Sequence, residues 1–244
     1  MPRPIHRLVV VSDAHLGAVP RDVEDRFLDF LDQVPSLGDG LLVNGDLFGF
    51  WFAYRRAIPR AGIRVVTRLA ALARRIPVLM TGGNHDRWGE PFWTELGIQF
   101  DASELRFSLG ATAALALHGD RIPGVTLGAR LKARVFTSPL ASLGFRALPA
   151  DLGFRLTAPL AAPDRSPRAL ALEDATAARQ LQWATALLRN GGEAGLVILG
   201  HSHRPAAVEV EPGRRYLNPG AWFDGSRYAV VTEEELELTQ HQGS

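Results

Sequence analysis

Cysteine is absent from the 244 residues, which excludes disulfides, thiolate metal sites, iron–sulfur clusters and cysteine nucleophiles together. Lysine is nearly absent: of 27 cationic side chains only Lys132 is not arginine, a bias that a GC-rich coding sequence produces. No apolar run approaches the roughly 18 residues that a membrane-crossing helix needs. The basic start, Met1 to Arg7, leads only into Leu8–Val11, too short for the apolar stretch of a signal peptide. The simplest expected location is the cytoplasm. An excess of one charge is also missing. The 27 Lys and Arg against 26 Asp and Glu leave +1, which argues against bulk electrostatic binding of nucleic acid.

What is present is a repeated pattern of short apolar runs that stop abruptly at polar residues. Leu8–Val11 meets Ser12-Asp13-Ala14-His15. Leu41–Val43 meets Asn44-Gly45-Asp46, and Val78–Met80 leads to Gly82-Gly83-Asn84-His85-Asp86. Ala114–Leu117 meets His118-Gly119-Asp120, and Leu196–Leu199 meets Gly200-His201-Ser202-His203. Runs this short and this apolar predict strands buried on both faces. Helical stretches over Val23–Val34, Ile63–Arg75 and Glu173–Arg189 alternate with them, which predicts an α/β protein with helices covering sheets. Shorter strands over Ala207–Val210, Tyr228–Thr232 and Leu236–Thr239 predict a second, partly antiparallel set.

Residues 121–172 break the rhythm. They contain prolines and glycines but no clear buried strand, and Leu127, Leu131 and Val135 have helical spacing. The expected organisation is a catalytic domain of residues 1–120 and 173–244, interrupted by a helical lid at 121–172. The lid carries seven arginines, Lys132 and two aspartates, a net +6, so the remainder carries −5. Its apolar residues include Leu127, Leu131, Phe136, Leu140, Leu143, Phe145, Leu148, Leu152, Phe154 and Leu156. Such a mixture suits an anionic lipid or membrane surface; it equally suits an ordinary helical subdomain with leucines inside. The aromatic run Phe48 to Tyr54 is open in the same way, between a core plug and an acyl-chain wall.

Five of seven histidines fall at strand ends, in the crevice where open α/β sheets bind ligands. Asp13 and His15 are two apart, as are His201 and His203, so in extended backbone each pair shares a face. Asp46 follows a glycine that permits a tight turn. With Asn84 and His118 these give two carboxylates, four imidazoles and one carboxamide oxygen. That donor set suits Mn, Fe or Zn better than Mg alone. Seven donors exceed the need of one ion and fit two ions about 3.5–4 Å apart.

This combination resembles the calcineurin-like metallophosphoesterases across nearly the whole chain. The resemblance implies a four-layer α/β/β/α sandwich of two sheets. It implies that Asp13, His15, Asp46 and His203 hold one divalent ion and Asp46, Asn84, His118 and His201 the other, with manganese first among the candidates. It further implies that His85 is a catalytic histidine outside the ligand set and Asp86 its orienting partner, in hydrolysis by metal-activated water. Within that family, Gly45-Asp46-Leu47-Phe48-Gly49-Phe50-Trp51 and Leu217-Asn218-Pro219-Gly220-Ala221-Trp222 are similar to the UDP-2,3-diacylglucosamine diphosphatases of lipid A synthesis. Those enzymes also place a helical lid between the equivalents of His118 and His201. The implied substrate is a nucleotide-lipid pyrophosphate, with peripheral contact on the inner membrane face. One departure stands out: the subgroup usually has arginine where this chain has His85. Rival readings are a phosphodiesterase or phosphatase of soluble nucleotides and small phosphoesters, and a non-catalytic binding module. No nucleic-acid partner is expected.

Overall fold

The computed structural model describes residues 3–54, 57–60, 62–123, 143–145 and 147–243. Strand β1 (Leu8–Val11) leads through helix α1 (Arg21–Leu37) to β2 (Gly40–Asn44), then α2 (Ile63–Ala73) and β3 (Val78–Thr81). A short α3 (Phe92–Glu95) precedes β4 (Gln99–Asp101), β5 (Glu104–Leu109) and β6 (Thr112–Leu117). Helices α4 (Ala150–Ala161) and α5 (Pro167–Arg189) follow, then β7 (Leu196–Ile198), β8 (Ala206–Glu211), β9 (Arg214–Asn218), β10 (Arg227–Val231) and β11 (Leu236–Gln240).

The strands form two sheets, in the order β11-β10-β1-β2-β3-β4 and β5-β6-β7-β9-β8. The central pairings β1–β2, β2–β3, β6–β7 and β7–β9 are parallel, and β10, β11, β5 and β8 add antiparallel edges. Alternate side chains of the first sheet serve two cores. Val9, Val11, Leu41, Val43, Val78 and Met80 pack with Phe27, Leu31, Val65 and Leu69 of α1 and α2. Leu8, Val10, Leu42 and Leu79 point the other way, against Leu105, Ala116, Ile198 and Leu217 of the second sheet. That sheet's far face, with Leu115, Val197 and Tyr216, packs on Ala184 and Leu188 of α5. Burial on both faces explains the continuous apolar runs, because a strand here has no solvent side to make polar. The result is a mixed α/β fold of two sheets flanked by helices.

The edges carry the differences from the sequence-based expectation. Strands β4 and β5 have alternating or sparse apolar residues rather than runs. Helix α5 begins at Pro167, capped by Ser166, whose hydroxyl accepts from the Ala169 amide at 3.2 Å. It therefore runs without interruption through the boundary expected at 172/173. Leu127, Leu131, Val135, Phe136 and Leu140 lie outside the described residues, as does the side chain of Phe154. The aromatic run divides. Phe48 and Trp51 are core, stacked at 4.6 Å between ring centroids and packed on Trp93. Phe50, Phe52 and Tyr54 instead contact Phe145, which lies in the chain between β6 and α4, and Phe50 and Phe52 also contact Trp88.

Candidate metal centre

Every strand of the polar-ended pattern stops at one place. The Asp13 amide donates to Gly45 O (3.1 Å), and those of Ala14 and His15 to Asp46 O (2.9 and 3.0 Å), which splices the loop after β1 to the loop after β2. The His85 amide donates to Asp46 Oδ1 (2.9 Å) and the His201 amide to Asp13 Oδ2 (2.9 Å), so each carboxylate spends one oxygen holding a neighbouring loop. The other oxygens face imidazoles. Asp46 Oδ2 lies 3.2 Å from His118 Nε2 and 3.8 Å from His15 Nε2, and Asp13 Oδ1 lies 3.3 Å from His203 Nε2. The loops fit this closely only through glycine. A side chain at Gly83 would collide with the Asp46 carboxylate, and one at Gly200 with the Ser12 hydroxyl.

The backbone there is strained. Among the described residues six non-glycine positions have positive φ, and five of them are Asp13 (52°), His15 (48°), Asp46 (50°), His201 (66°) and His203 (57°). The extended geometry expected for the Asp13–His15 and His201–His203 pairs is thus replaced by left-handed turns just past the strand ends. Each costs on the order of 1 kcal/mol, and such clustering is a mark of functional loops.

Two groups of donor atoms, each within 4.8 Å of one another, are Asp13–His15–His203 and Asp46–His118–His201. A third, His15–Asp46–His85, overlaps them. Asp13 Oδ1, both His15 ring nitrogens, His118 Nε2 and Asn84 Oδ1 are buried with no hydrogen bond among the described residues. Buried polar atoms without partners are costly, and a dication is the partner that a carboxylate, two imidazoles and an amide oxygen would share. The residues therefore fit the expected ions. The structure brings six of the seven expected donor residues into these groups, and Asn84 lies on the loop whose His85 amide is bound to Asp46.

Imidazole orientation is set from behind. His118 Nδ1 donates to Asn44 O (3.0 Å), and His203 Nδ1 to Glu173 Oε1 of α5 (2.7 Å). Each leaves Nε2 toward the carboxylates, the arrangement in which an outer partner orients a ligating histidine. Glu173 is further held by Arg204 at 3.4 Å. Asn218 of the Leu217–Trp222 motif donates to Gly200 O and Ser202 Oγ, both at 3.0 Å, and the Trp222 amide donates to Ser12 O, so that motif buttresses two loops of the centre. Nothing in the sequence spacing connects Glu173 and Asn44 to the histidines they support, or Asn218 to the loop it braces.

Without ions, these carboxylates and imidazoles set one another's charge. Burial opposes charge on Asp13, but His118 and His203 hold its pKa at about 2. Burial opposes charge on Asp46 too, yet His118 and His85 hold it well below the usual carboxylate range. Burial likewise disfavours protonation of His118, yet Asp46 and Asp13 push it up to about 10. His203 is raised to about 9 against burial by Asp13 and Glu173. His15 and His201 are held at about 4, chiefly by burial.

Asp86 differs from its expected part. Its carboxylate is fully buried and accepts the amides of Leu47 (2.6 Å), Gly83 (2.8 Å), Asp46 (3.2 Å) and Phe48 (3.3 Å). Burial and the Asp46 charge push its pKa up to about 6. It clamps the loops after β2 and β3 together rather than orienting His85. That task falls to Gly49, whose carbonyl accepts His85 Nδ1–H at 2.7 Å. The reason is geometric: both Asp86 oxygens are already engaged by backbone donors.

Comparison with known proteins gives a consistent picture. The family model described as calcineurin-like phosphoesterase matches residues 6–205. A protein of Shewanella piezotolerans named UDP-2,3-diacylglucosamine hydrolase is 24% identical over 96% of this chain and 98% of its own length. One of the same name from Porphyromonas gingivalis is 26% identical over 95% and 96%. Among solved structures, an archaeal phosphodiesterase superposes with a TM-score of 0.51 at 12% identity, over 96% of this chain and 99% of that one.

Proposed function

The chain belongs to the calcineurin-like phosphoesterase family and is a metal-dependent phosphoester hydrolase, and within that activity we propose that it hydrolyses the pyrophosphate of UDP-2,3-diacylglucosamine or a related nucleotide-lipid to UMP and a lipid 1-phosphate. We assign Asp13, His15, Asp46 and His203 to one divalent ion and Asp46, Asn84, His118 and His201 to the second, with Mn preferred over Fe or Zn. Bound there, two dications supply charge neutralisation for phosphate oxygens and acidify water at neutral pH. His85, with Nδ1–H committed to Gly49, presents Nε2 on the site side, 4.0 Å from Asp46 Oδ2. From there it can pass a proton to the leaving oxygen.

The observation that carries the lipid part is the position of helix α4. Its C-terminal residue Ala161 meets Gly49, the residue whose carbonyl orients His85. On the same helix Leu152 (45% exposed) and Leu156 (60%) stand one turn apart beside exposed Arg155, and Leu143 (65%) is exposed in the segment before it. Gly153 of that helix lies against Phe145, which packs on Phe50 and Phe52. Exposed apolar and basic side chains on a helix that ends beside a phosphate-handling centre suit a substrate with an anionic head and acyl chains, and peripheral contact with a bilayer. No helix among the described residues is long and apolar enough to cross a membrane.

The test is a Mn-supplemented panel of UDP-2,3-diacylglucosamine, a CDP-lipid, free nucleotides and a chromogenic diester. UMP release from the first, far above turnover of the rest, is expected. His85, where the similar diphosphatases usually carry arginine, favours the second reading: a phosphodiesterase or phosphatase of soluble esters. Fast hydrolysis of the soluble esters with none of the lipid would establish that reading instead.

A further inference from the structure

Beside the centre lie three charged residues that the chemistry above does not use. Arg87 follows His85 by two residues on the loop after β3, and Asp120 follows His118 by two on the loop after β6. The ion pair between Arg87 Nη2 and Asp120 Oδ2 joins loops of the two different sheets. Arg87 is buried, 6% exposed, and its Nη1 has no hydrogen bond among the described residues. Arg121 places Nε 3.9 Å from the same Asp120 oxygen and keeps 43% of its side chain exposed. Burial, together with the charge of Arg87, lowers the Arg121 pKa from its ordinary value, which marks the two guanidiniums as near neighbours.

A structural ion pair needs one arginine for one carboxylate. Here two arginines share Asp120, which leaves one net positive charge and, among the described residues, the buried Nη1 of Arg87 without an acceptor. A buried guanidinium with an unmatched edge is costly, and its planar fork matches an oxyanion. The charge of Asp120 also reaches His118 and His201, so the cluster borders the Asp46–His118–His201 group.

We propose that Arg87 and Arg121 form a second anion subsite, for the phosphate adjoining the scissile one, so that the preferred substrate class is a phosphoanhydride rather than a monoester. Arg121 is the exposed arm that meets the anion, and Arg87, fixed by Asp120, supplies charge from below. The proposal rests on the phosphoesterase reading only in taking the neighbouring group to be a phosphate under hydrolysis.

The experiment is calorimetric titration of the Mn-loaded protein with UMP and with uridine 5′-(α,β-methylene)diphosphate, which cannot be cleaved at its bridge. The wild type should bind the second at least about 10-fold more tightly, the effect of one charge-assisted contact. Arg121→Ala should shrink that gap to about 3-fold or less, and Arg121→Lys should restore part of it. Arg87→Lys, which keeps the charge inside the fold, should narrow it less than Arg121→Ala. A gap unaltered by Arg121→Ala, no gap in the wild type, or equal weakening of both ligands with a lowered Tm would overturn the subsite. A wild type that shows the gap but hydrolyses no phosphoester would sink the hydrolase reading and leave the subsite standing.

Discussion

The Nδ1–H of His85 donates to the carbonyl of Gly49 at 2.7 Å. Because a carbonyl can only accept, this bond keeps a proton on Nδ1 and turns Nε2 to the side of Asp46, the edge from which a proton can be exchanged with the leaving oxygen. The proposed assignment keeps His85 outside the donor set, although His15, Asp46 and His85 are close enough to share an ion. His85→Ala should therefore lower turnover about 10²–10⁴-fold while metal content, measured by elemental analysis, stays at the wild-type value. Metal lost in parallel with activity would make His85 a ligand.

Asp86 accepts four backbone amides from two loops while fully buried. Asp86→Asn keeps the shape but replaces one acceptor oxygen by a donor facing N–H groups. A loss of about 2–4 kcal/mol is expected, read as a Tm decrease of several degrees, together with weaker metal binding because Asp46 and Asn84 sit on the loosened loops. A variant with wild-type Tm and a defect only in the pH profile of turnover would return Asp86 to the role of partner for His85.

Glu173 reaches from α5 to His203 at 2.7 Å. Outer partners of ligating histidines are worth about 10–100-fold in metal affinity. Glu173→Gln should raise the Mn concentration for half-maximal activity by that factor and recover most of kcat at saturating Mn. A kcat that stays low at saturation would contradict a purely orienting role.

Metal loading should release protons. The pKa values of His118 and His203, about 10 and 9, lie above the 6.5 of an unperturbed imidazole. In the ion-free protein their protonation adds stability that is complete below about pH 6.5 and fades as pH rises through 9 to 10. A dication takes the place of those protons, so binding should tighten from pH 6 to 9 and release up to about two protons. Calorimetry in buffers of different ionisation enthalpy counts them; a buffer-independent enthalpy would refute the coupling. Chelation at pH 8 should lower Tm by the same linkage.

Much of this was legible in the sequence, for a physical reason. Strands buried on both faces write continuous apolar runs, and ligands at their carboxyl ends appear as sudden polar residues, so five loops could be read from Val11, Val43, Met80, Leu117 and Leu199 onward. Strands β4 and β5 escaped because edge strands with a solvent face need no such run. The start of α5 was signalled by Ser166-Pro167, a cap followed by proline at the first helical position, but the apolar pattern alone pointed six residues later. Glu173 supports a histidine 30 residues away and Asn44 one 74 residues away, relations that only packing creates. The partner of His85 was misread because a neighbouring carboxylate looks like an orienting group until its oxygens are found engaged by Leu47 and Gly83.

The left-handed residues at 13, 15, 46, 201 and 203 set the chain's fitness for activity against its fitness for folding. His15 is the sharpest case: strained at φ 48°, buried, and hydrogen-bonded through neither ring nitrogen. Glycine there would relieve the backbone and remove an uncompensated imidazole. A library screened for heat resistance alone would therefore drift toward dismantling the centre while the four layers stayed intact. Those five positions are the ones to freeze in any stabilised variant, and in a related sequence glycine at several of them would mark a lineage that has kept the scaffold and abandoned the reaction.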